Sequence, residues 1–216
     1  MTLSVSKKRR GRPPTGSHQP AKTRQAIIQS GLEILTEQGV TATGVDQVLR
    51  KVGVPKGSFY HYFSSKDIFL QAVVGEYGEY FGRKLDKHFA QEEKKPLDRL
   101  EGFLEDSCKG MERYDYRRGC LIGNLGQEVT ALSPPLREGV EAVLLEWEAK
   151  LEVLLEQSVQ QGELSPAVDC QSESRFFWIG WEGAVMRAKL SRSCQPMTLF
   201  LQMFLDRLRS IPLNAK

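Results

Sequence analysis

Apolar residues recur every three or four positions over most of the chain, which is the spacing of amphipathic α-helices. The pattern predicts a first helix over about 20–38, which stops at Gly39, and a long helix that opens at Pro134 and runs to about Gly162. The other long helices are predicted from a cap at Ser64 to about His88, from Leu97 to near Tyr114, over 169–193 and over 197–210. No segment has the alternation of a strand, so the sequence predicts an all-α fold.

Short capping signals between the first two long helices predict a helix-turn-helix. The capping box Thr43-x-x-Asp46 opens a second helix that runs to about Lys51 and breaks at Gly53. Pro55 suits the first position of a third helix. This third helix must be very short, because the box Ser64-x-x-Asp67 already caps the fourth.

Positive charge is concentrated at the front of the chain. Residues 1–66 contain eleven Lys and Arg against three acids, a net charge of +8, whereas the other residues carry 19 bases and 24 acids, a net charge of −5. This distribution is typical of a module that binds a polyanion, attached to a separate body. No signal peptide and no span of about 20 apolar residues is present, so the sequence predicts a cytoplasmic protein with no membrane partner.

The third helix presents two different faces. Phe59 and Phe63 lie four residues apart, so they share the face that packs on the first two helices. The outward side holds Lys56, Gly57, Ser58 and Tyr60, and Lys66 begins the fourth helix. A glycine at position 57 permits close approach to a nucleic-acid surface, and the hydroxyls and cations suit phosphate contacts.

Residues 22–68 resemble the DNA-binding domain of the tetracycline-repressor (TetR) family, through the motif at 53–63 and Ser65-Lys66-Asp67. The resemblance implies a homodimer that binds a pseudo-palindromic operator in double-stranded DNA and releases it when a small-molecule effector binds. By position it assigns base-edge contacts to Lys56 and Gly57. It assigns phosphate contacts to Thr43, Ser58, Tyr60, His61 and Lys66, and backbone anchoring to Tyr62.

Three segments follow from these patterns. Residues 1–19 are predicted to be a disordered basic arm, 20–66 a three-helix DNA-binding domain, and 67–216 a helical ligand-binding and dimerisation domain. Within the arm, Lys7 to Pro14 resembles the AT-hook, in which Arg10 and Arg12 would enter a narrow A·T minor groove. A generic basic tail with salt-dependent phosphate affinity is the alternative.

Enzymatic chemistry has little support in the sequence. No histidine follows His88, and the chain lacks a Gly-x-Ser-x-Gly turn, a phosphate loop, a Rossmann glycine pattern and a metal-ligand cluster. The sequence therefore predicts no enzyme, no metal and no cofactor. No two of the four cysteines form a Cys-x-x-Cys pair, so the sequence predicts four reduced thiols, at Cys108, Cys120, Cys170 and Cys194.

Cys120 is the candidate sensor. Arg117 and Arg118 precede it, and two nearby cations would lower the pKa of its thiol and raise its thiolate fraction. The alternative is a small buried hydrophobic residue. Gly119-Cys120-Leu121, together with residues 188–192, resembles the TetR-type branch that senses electrophiles and unsaturated carboxylates such as acrylate, in which the matching cysteine is the sensor and the lysine matching Lys189 lies beside it.

Two polar and aromatic helical turns are predicted to enclose the effector. They contain Asn124, Gln127 and Glu128 in one turn and Trp178, Trp181 and Glu182 in the other. Arg118 or Lys189 would hold a ligand carboxylate, whereas the tryptophans also suit a core or a dimer interface. The last two helices are the predicted interface. The sequence thus indicates a repressor released by an acrylate-like electrophile, with a thiol enzyme using Cys120 or a DNA-binding scaffold without effector as alternatives.

Overall fold

The computed structural model describes residues 20–128 and 133–213. The predicted arm over residues 1–19, with Arg10 and Arg12, lies outside the described residues. Every regular element in the described part is helical, which confirms the all-α prediction. The helices are α1 (Pro20–Gln38), α2 (Val45–Lys51), a 3₁₀ turn (Lys56–Ser58), α3 (Phe59–Tyr62), α4 (Lys66–Phe89), α5 (Pro96–Arg113), α6 (Leu121–Glu128), α7 (Pro134–Gln160), α8 (Cys170–Ser191) and α9 (Gln195–Arg209).

Both predicted capping boxes are wrong in detail. The N-cap of α2 is Gly44, which has no side chain to cap with, and the Thr43 hydroxyl instead donates to the Gly39 carbonyl at 2.6 Å. The N-cap of α4 is Ser65, whose hydroxyl accepts the N–H of Ile68 at 3.2 Å. Two neighbouring serines offer the same capping chemistry, so the sequence alone does not select the correct one.

The N-terminal head packs around an aromatic cluster. The rings of Phe59 and Phe63 face the core as predicted, and both are almost fully buried. Phe69, on the first turn of α4, completes the cluster with ring centroids 5.8 Å from Phe59 and 5.2 Å from Phe63. The core of the head therefore extends beyond residue 66 into α4, which makes this helix the rigid link between head and body.

The body is a bundle in which α4, α5, α7 and α8 surround a second aromatic core. Trp147 on α7 is fully buried, with ring centroids 4.3 Å from Phe81 and 5.2 Å from Trp178. α9 packs along α8 and also contacts α5. No helix in the described ranges is long and apolar enough to cross a membrane.

One disulfide corrects the prediction that all cysteines are reduced. Cys108 on α5 is bonded to Cys194, which precedes α9, with their Cα atoms 5.7 Å apart. Cys120 and Cys170 are free. The pair is separated by 86 residues, so only the packing of α5 against α9 brings the two sulfur atoms together.

Candidate functional site

The predicted DNA-contacting residues between Lys56 and Lys66 lie at the surface of the head. Lys56, Gly57, Tyr60, His61 and Lys66 are exposed, with 73% of Tyr60 accessible to solvent. Ser58 and Tyr62 are half-buried at its edge. A Cβ atom at Gly57 would meet nothing within 4 Å, so this backbone is open to close approach by another molecule.

Three of the predicted DNA-contacting residues, Lys56, Lys66 and Thr43, have partners within the protein. Lys56 pairs with Asp46 of α2 at 2.8 Å, and this contact raises the pKa of the exposed lysine. Lys66 donates to the Thr43 carbonyl at 3.3 Å. Thr43 itself is buried and its hydroxyl is bonded to Gly39, so a phosphate contact through that hydroxyl would require this bond to break.

A cavity of about 320 Å³ lies in the body where α1, α4, α5 and α8 meet. Three of the predicted sensor residues, Arg118, Cys120 and Trp181, line it. Tyr77 and Lys84 of α4 line it as well. Pockets for small ligands begin near this size, so the cavity suits an effector of few heavy atoms.

Cys120 is 6% exposed and immediately precedes α6. Burial, reinforced by the adjacent Glu182 carboxyl group, raises the pKa of the thiol well above its ordinary value of 9.0. The prediction that Arg117 and Arg118 lower this pKa is therefore wrong. Arg117 is exposed, and the Arg118 guanidinium binds Glu37 of α1 instead.

Two glycines around Cys120 make room for side chains from α8. A Cβ atom at Gly119 would lie 2.7 Å from Cδ of Lys189, and one at Gly123 would overlap Oε2 of Glu182. Glu182 and Lys189 are seven residues apart, which is two turns of α8. Residues 119–123 therefore have a glycine at each of the two positions that the Lys189 and Glu182 side chains of α8 contact.

The segment that follows Cys120 is bonded to the head. Oε2 of Glu128, at the end of α6, accepts the N–H of Val40 at 3.0 Å and of Thr41 at 2.7 Å. The Thr41 hydroxyl donates to the same oxygen at 2.8 Å. Asn124, also on α6, donates to the Thr36 carbonyl at 3.3 Å. α6 thus connects the cavity wall to the turn between α1 and α2.

The remaining predicted ligand residues do not line the cavity. Asn124 faces α1, and Gln127 is exposed. Trp178 is buried in the aromatic core of the body, as the alternative interpretation of the tryptophans held. Glu182 and Lys189 lie behind the cavity wall, against Gly123 and Gly119.

Lys84 is a cavity residue that the sequence reasoning missed. Its ammonium group lies 3.3 Å from Asp106 of α5, and burial lowers the pKa of this lysine despite that carboxylate. The available signal was its register, because Lys84 follows Tyr77 and Phe81 at three- and four-residue spacing on the buried side of α4. A cation within an apolar stripe has either a partner or a ligand.

α8 and α9 share an exposed apolar face. Its six side chains are Phe176, Ile179, Met186, Leu190, Leu199 and Met203, all more than 45% exposed. On α8 they recur every three, four or seven residues, so they form one stripe. Gly180 makes room within the chain for the Phe200 ring of α9, whereas a Cβ atom at Gly183 would meet open space on the exposed side.

The described residues contain no group of three His, Cys, Asp or Glu side chains placed to hold a metal ion. A helix-turn-helix head, fixed to a helical body with a cavity at their junction and an exposed apolar face, is the architecture of a DNA-binding transcriptional regulator. Family models match both parts. Residues 27–73 match "Bacterial regulatory proteins, tetR family", and residues 96–204 match "Tetracyclin repressor-like, C-terminal domain". The chain belongs to the TetR family of transcriptional regulators.

Relatives of known name agree with this assignment. The chain is 43% identical to the transcriptional regulator AcuR of Cereibacter sphaeroides over 198 residues, 92% of this chain and 90% of that protein. It is 27% identical to the transcriptional repressor NemR of Escherichia coli over 180 residues, 83% of this chain and 90% of that protein. A crystal structure of a regulatory protein TetR from Rhodobacter sphaeroides superposes with a TM-score of 0.81 at 43% identity, covering 84% of this chain and 96% of that one.

Proposed function

We propose that the protein is a homodimeric repressor that leaves its operator when a small electrophile, such as an unsaturated carboxylate, reacts at Cys120. One observation carries this proposal. Cys120 lines the cavity and directly precedes α6, and the far end of α6 is bonded to Thr41 in the head. A change of volume or charge at the thiol would therefore displace α6, which is hydrogen-bonded to the turn between α1 and α2 in the head.

The chemistry of the cavity favours a small, carboxylate-bearing effector. Lys84 is partly desolvated beside Asp106, and an anion in the cavity would stabilise its charged form. Arg118 is already held by Glu37, and Lys189 is not on the cavity wall. Lys84 and Arg118 both line the cavity and each has one carboxylate partner, but the Lys84–Asp106 contact of 3.3 Å is longer than the Arg118–Glu37 contact of 2.8 Å. Lys84 is therefore the better-placed partner for an effector carboxylate.

The exposed face of α8 and α9 supports the dimer. Burial of such a stripe against a second copy would remove it from water and place two heads side by side. Two heads related by a two-fold axis would read a pseudo-palindromic operator. We propose residues 20–66 as the DNA-binding domain and 67–216 as the effector-binding and dimerisation domain, in a protein that acts in the cytoplasm.

Gel-shift titration on the DNA flanking the protein's own gene tests the proposal. Wild-type protein should release that DNA on addition of acrylate or N-ethylmaleimide, and peptide mass mapping should find an adduct on Cys120. Cys120→Ser should bind the same DNA without release. Cys170→Ser is the matched control, because it removes the other free thiol and should leave the response intact.

The same experiment separates the alternatives. If acrylate releases the Cys120→Ser variant without any added mass, the effector binds non-covalently, and Lys84→Ala should then abolish the response. A thiol enzyme would consume an excess of acrylate rather than take up one equivalent. A scaffold without effector would show no release under any condition, but the cavity beside Cys120 supports the regulated protein.

A further inference from the structure

The carboxyl group of Glu182 has no ion-pair partner among residues 20–128 and 133–213. Oε1 is buried and makes no hydrogen bond, while Oε2 occupies the space above Gly123. Within the described ranges no cation offsets its burial, which raises the pKa of Glu182 to about 7. The Cys120 thiol lies beside it, because Gly123, against which Oε2 packs, donates its N–H to Sγ of Cys120 at 3.5 Å. Burial of a carboxyl group without a partner destabilises the folded state, so its position beside a thiol is consistent with a functional role.

The Cys120 thiol needs a base to react. A sulfur nucleophile reacts as the thiolate, but burial holds this group in the protonated form. The ionisable groups that face the pair are the Tyr77 hydroxyl from α4 and, two turns along α8, Lys189 beside Gly119. Neither supplies a base, since a phenol and an ammonium group are both protonated at neutral pH.

We propose that Glu182 is the proton acceptor that activates Cys120 toward electrophilic alkenes; this rests on the proposed function and deepens it. The thiol proton passes to the Glu182 carboxylate as sulfur bonds to the β-carbon of the alkene. The π-electron pair moves to the α-carbon, which takes the proton back from Glu182. An S–H bond and a C=C π bond break, a C–S and a C–H bond form, and no oxidant is required.

The rate of alkylation by N-ethylmaleimide at Cys120, followed by peptide mass mapping of the full-length protein, tests this role. In wild type the rate should rise through a midpoint near pH 7 and then level off, as the Glu182 carboxylate forms. Glu182→Gln should react at least about tenfold more slowly at pH 8 and lose that midpoint. Glu148→Gln, which changes a carboxyl group on α7 paired with Arg175, is the matched control.

If Glu182 acted only through its charge, Glu182→Gln would change the alkylation rate in the opposite direction. Its negative charge would only raise the pKa of the thiol, so Glu182→Gln would react faster than wild type. An equal or faster rate in this variant overturns the proposal.

A second pair of variants keeps the test decisive if Glu182→Gln does not fold. Gly123→Ala displaces the carboxyl group and should slow alkylation, whereas Gly126→Ala, on the same helix with nothing within 4 Å, should not. If Cys120 is alkylated at the wild-type rate in Gly123→Ala, the proposal fails. If wild-type Cys120 is never alkylated, both the covalent sensor and its activation fail; if it is alkylated without operator release, only the sensor role fails.

Discussion

Arg118 and Glu37 form an ion pair between the cavity and the head, with Nε of the arginine 2.8 Å from Oε1 of the glutamate. The two residues are 81 positions apart in sequence. Arg118 lines the cavity two residues before Cys120, and Glu37 lies in the last turn of α1. The guanidinium also stacks on the Tyr114 ring, 3.9 Å from its centroid, so its position is fixed on two sides.

This ion pair predicts a pH-dependent contribution to stability. The Arg118 hydrogen bond lowers the pKa of Glu37 below its ordinary value of 4.5, so the folded state favours the carboxylate. The stabilisation is present above that value and disappears as the pH falls through the lowered pKa. Glu37→Gln should cost about 0.5–1 kcal/mol in urea unfolding at pH 7 and much less at pH 3. A pH-independent difference would show that the charge of Glu37 does not matter.

Lys56 and Lys66 should affect DNA binding in different ways. If Lys56 makes the predicted base-edge contact, Lys56→Ala should lower affinity for the operator by about 5- to 150-fold and affect random DNA little. If Lys66 makes the predicted phosphate contact, Lys66→Ala should weaken binding to both DNAs alike. Fluorescence anisotropy with operator and scrambled duplexes measures both effects. Equal losses on both duplexes for both variants would contradict the proposed orientation of the third helix.

Deletion of residues 1–16 should reduce operator affinity without changing stability. The deletion removes Lys7, Lys8, Arg9, Arg10 and Arg12 but none of the core of the described residues. The slope of log affinity against log salt should become shallower by about 0.9 for each DNA phosphate that the shortened protein no longer neutralises. An AT-hook predicts a larger decrease in affinity on A·T-flanked sites than on G·C-flanked sites. Equal decreases on both kinds of site would favour the generic basic tail over the AT-hook.

The apolar stripe on α8 and α9 predicts a variant that separates the dimer. Ile179→Glu places a charge on a residue that is 75% exposed in one chain. If a second copy covers that residue, the buried charge should shift the protein to the 24.4 kDa monomer in size-exclusion chromatography with light scattering. Val153→Glu, at a 52% exposed apolar position on α7, should leave the dimer intact. An unchanged mass for Ile179→Glu would place the interface elsewhere.

The Cys108–Cys194 disulfide should stabilise the body against unfolding. The crosslink spans 86 residues, and the reduced entropy of the unfolded chain corresponds to about 4.5 kcal/mol in a chain-entropy treatment. Dithiothreitol should lower the melting temperature of wild type and of Cys170→Ser, but not of the Cys108→Ser, Cys194→Ser double variant. Four reactive thiols in denatured, unreduced protein, instead of two, would show that the crosslink does not form.

Local patterns in the sequence determined the helices and the helix-turn-helix. Apolar spacing placed the long helices within a few residues of their observed ends, and the paired Phe59 and Phe63 identified the buried side of α3. These features depend on residues only three or four positions apart, so they can be read without knowledge of the fold. The exposure of Lys56, Tyr60 and Lys66 followed from the same periodicity.

Tertiary packing decided the chemistry of the cavity. Two arginines lie two and three positions before Cys120, but the ionisable group from α8 beside its thiol is Glu182, 62 positions away, because α8 packs across Gly119 and Gly123. Periodicity shows which side of a helix is buried but not which helix covers it. The charge around a buried side chain depends on which helix covers it. The partner of Arg118, Glu37 of α1, was decided in the same way.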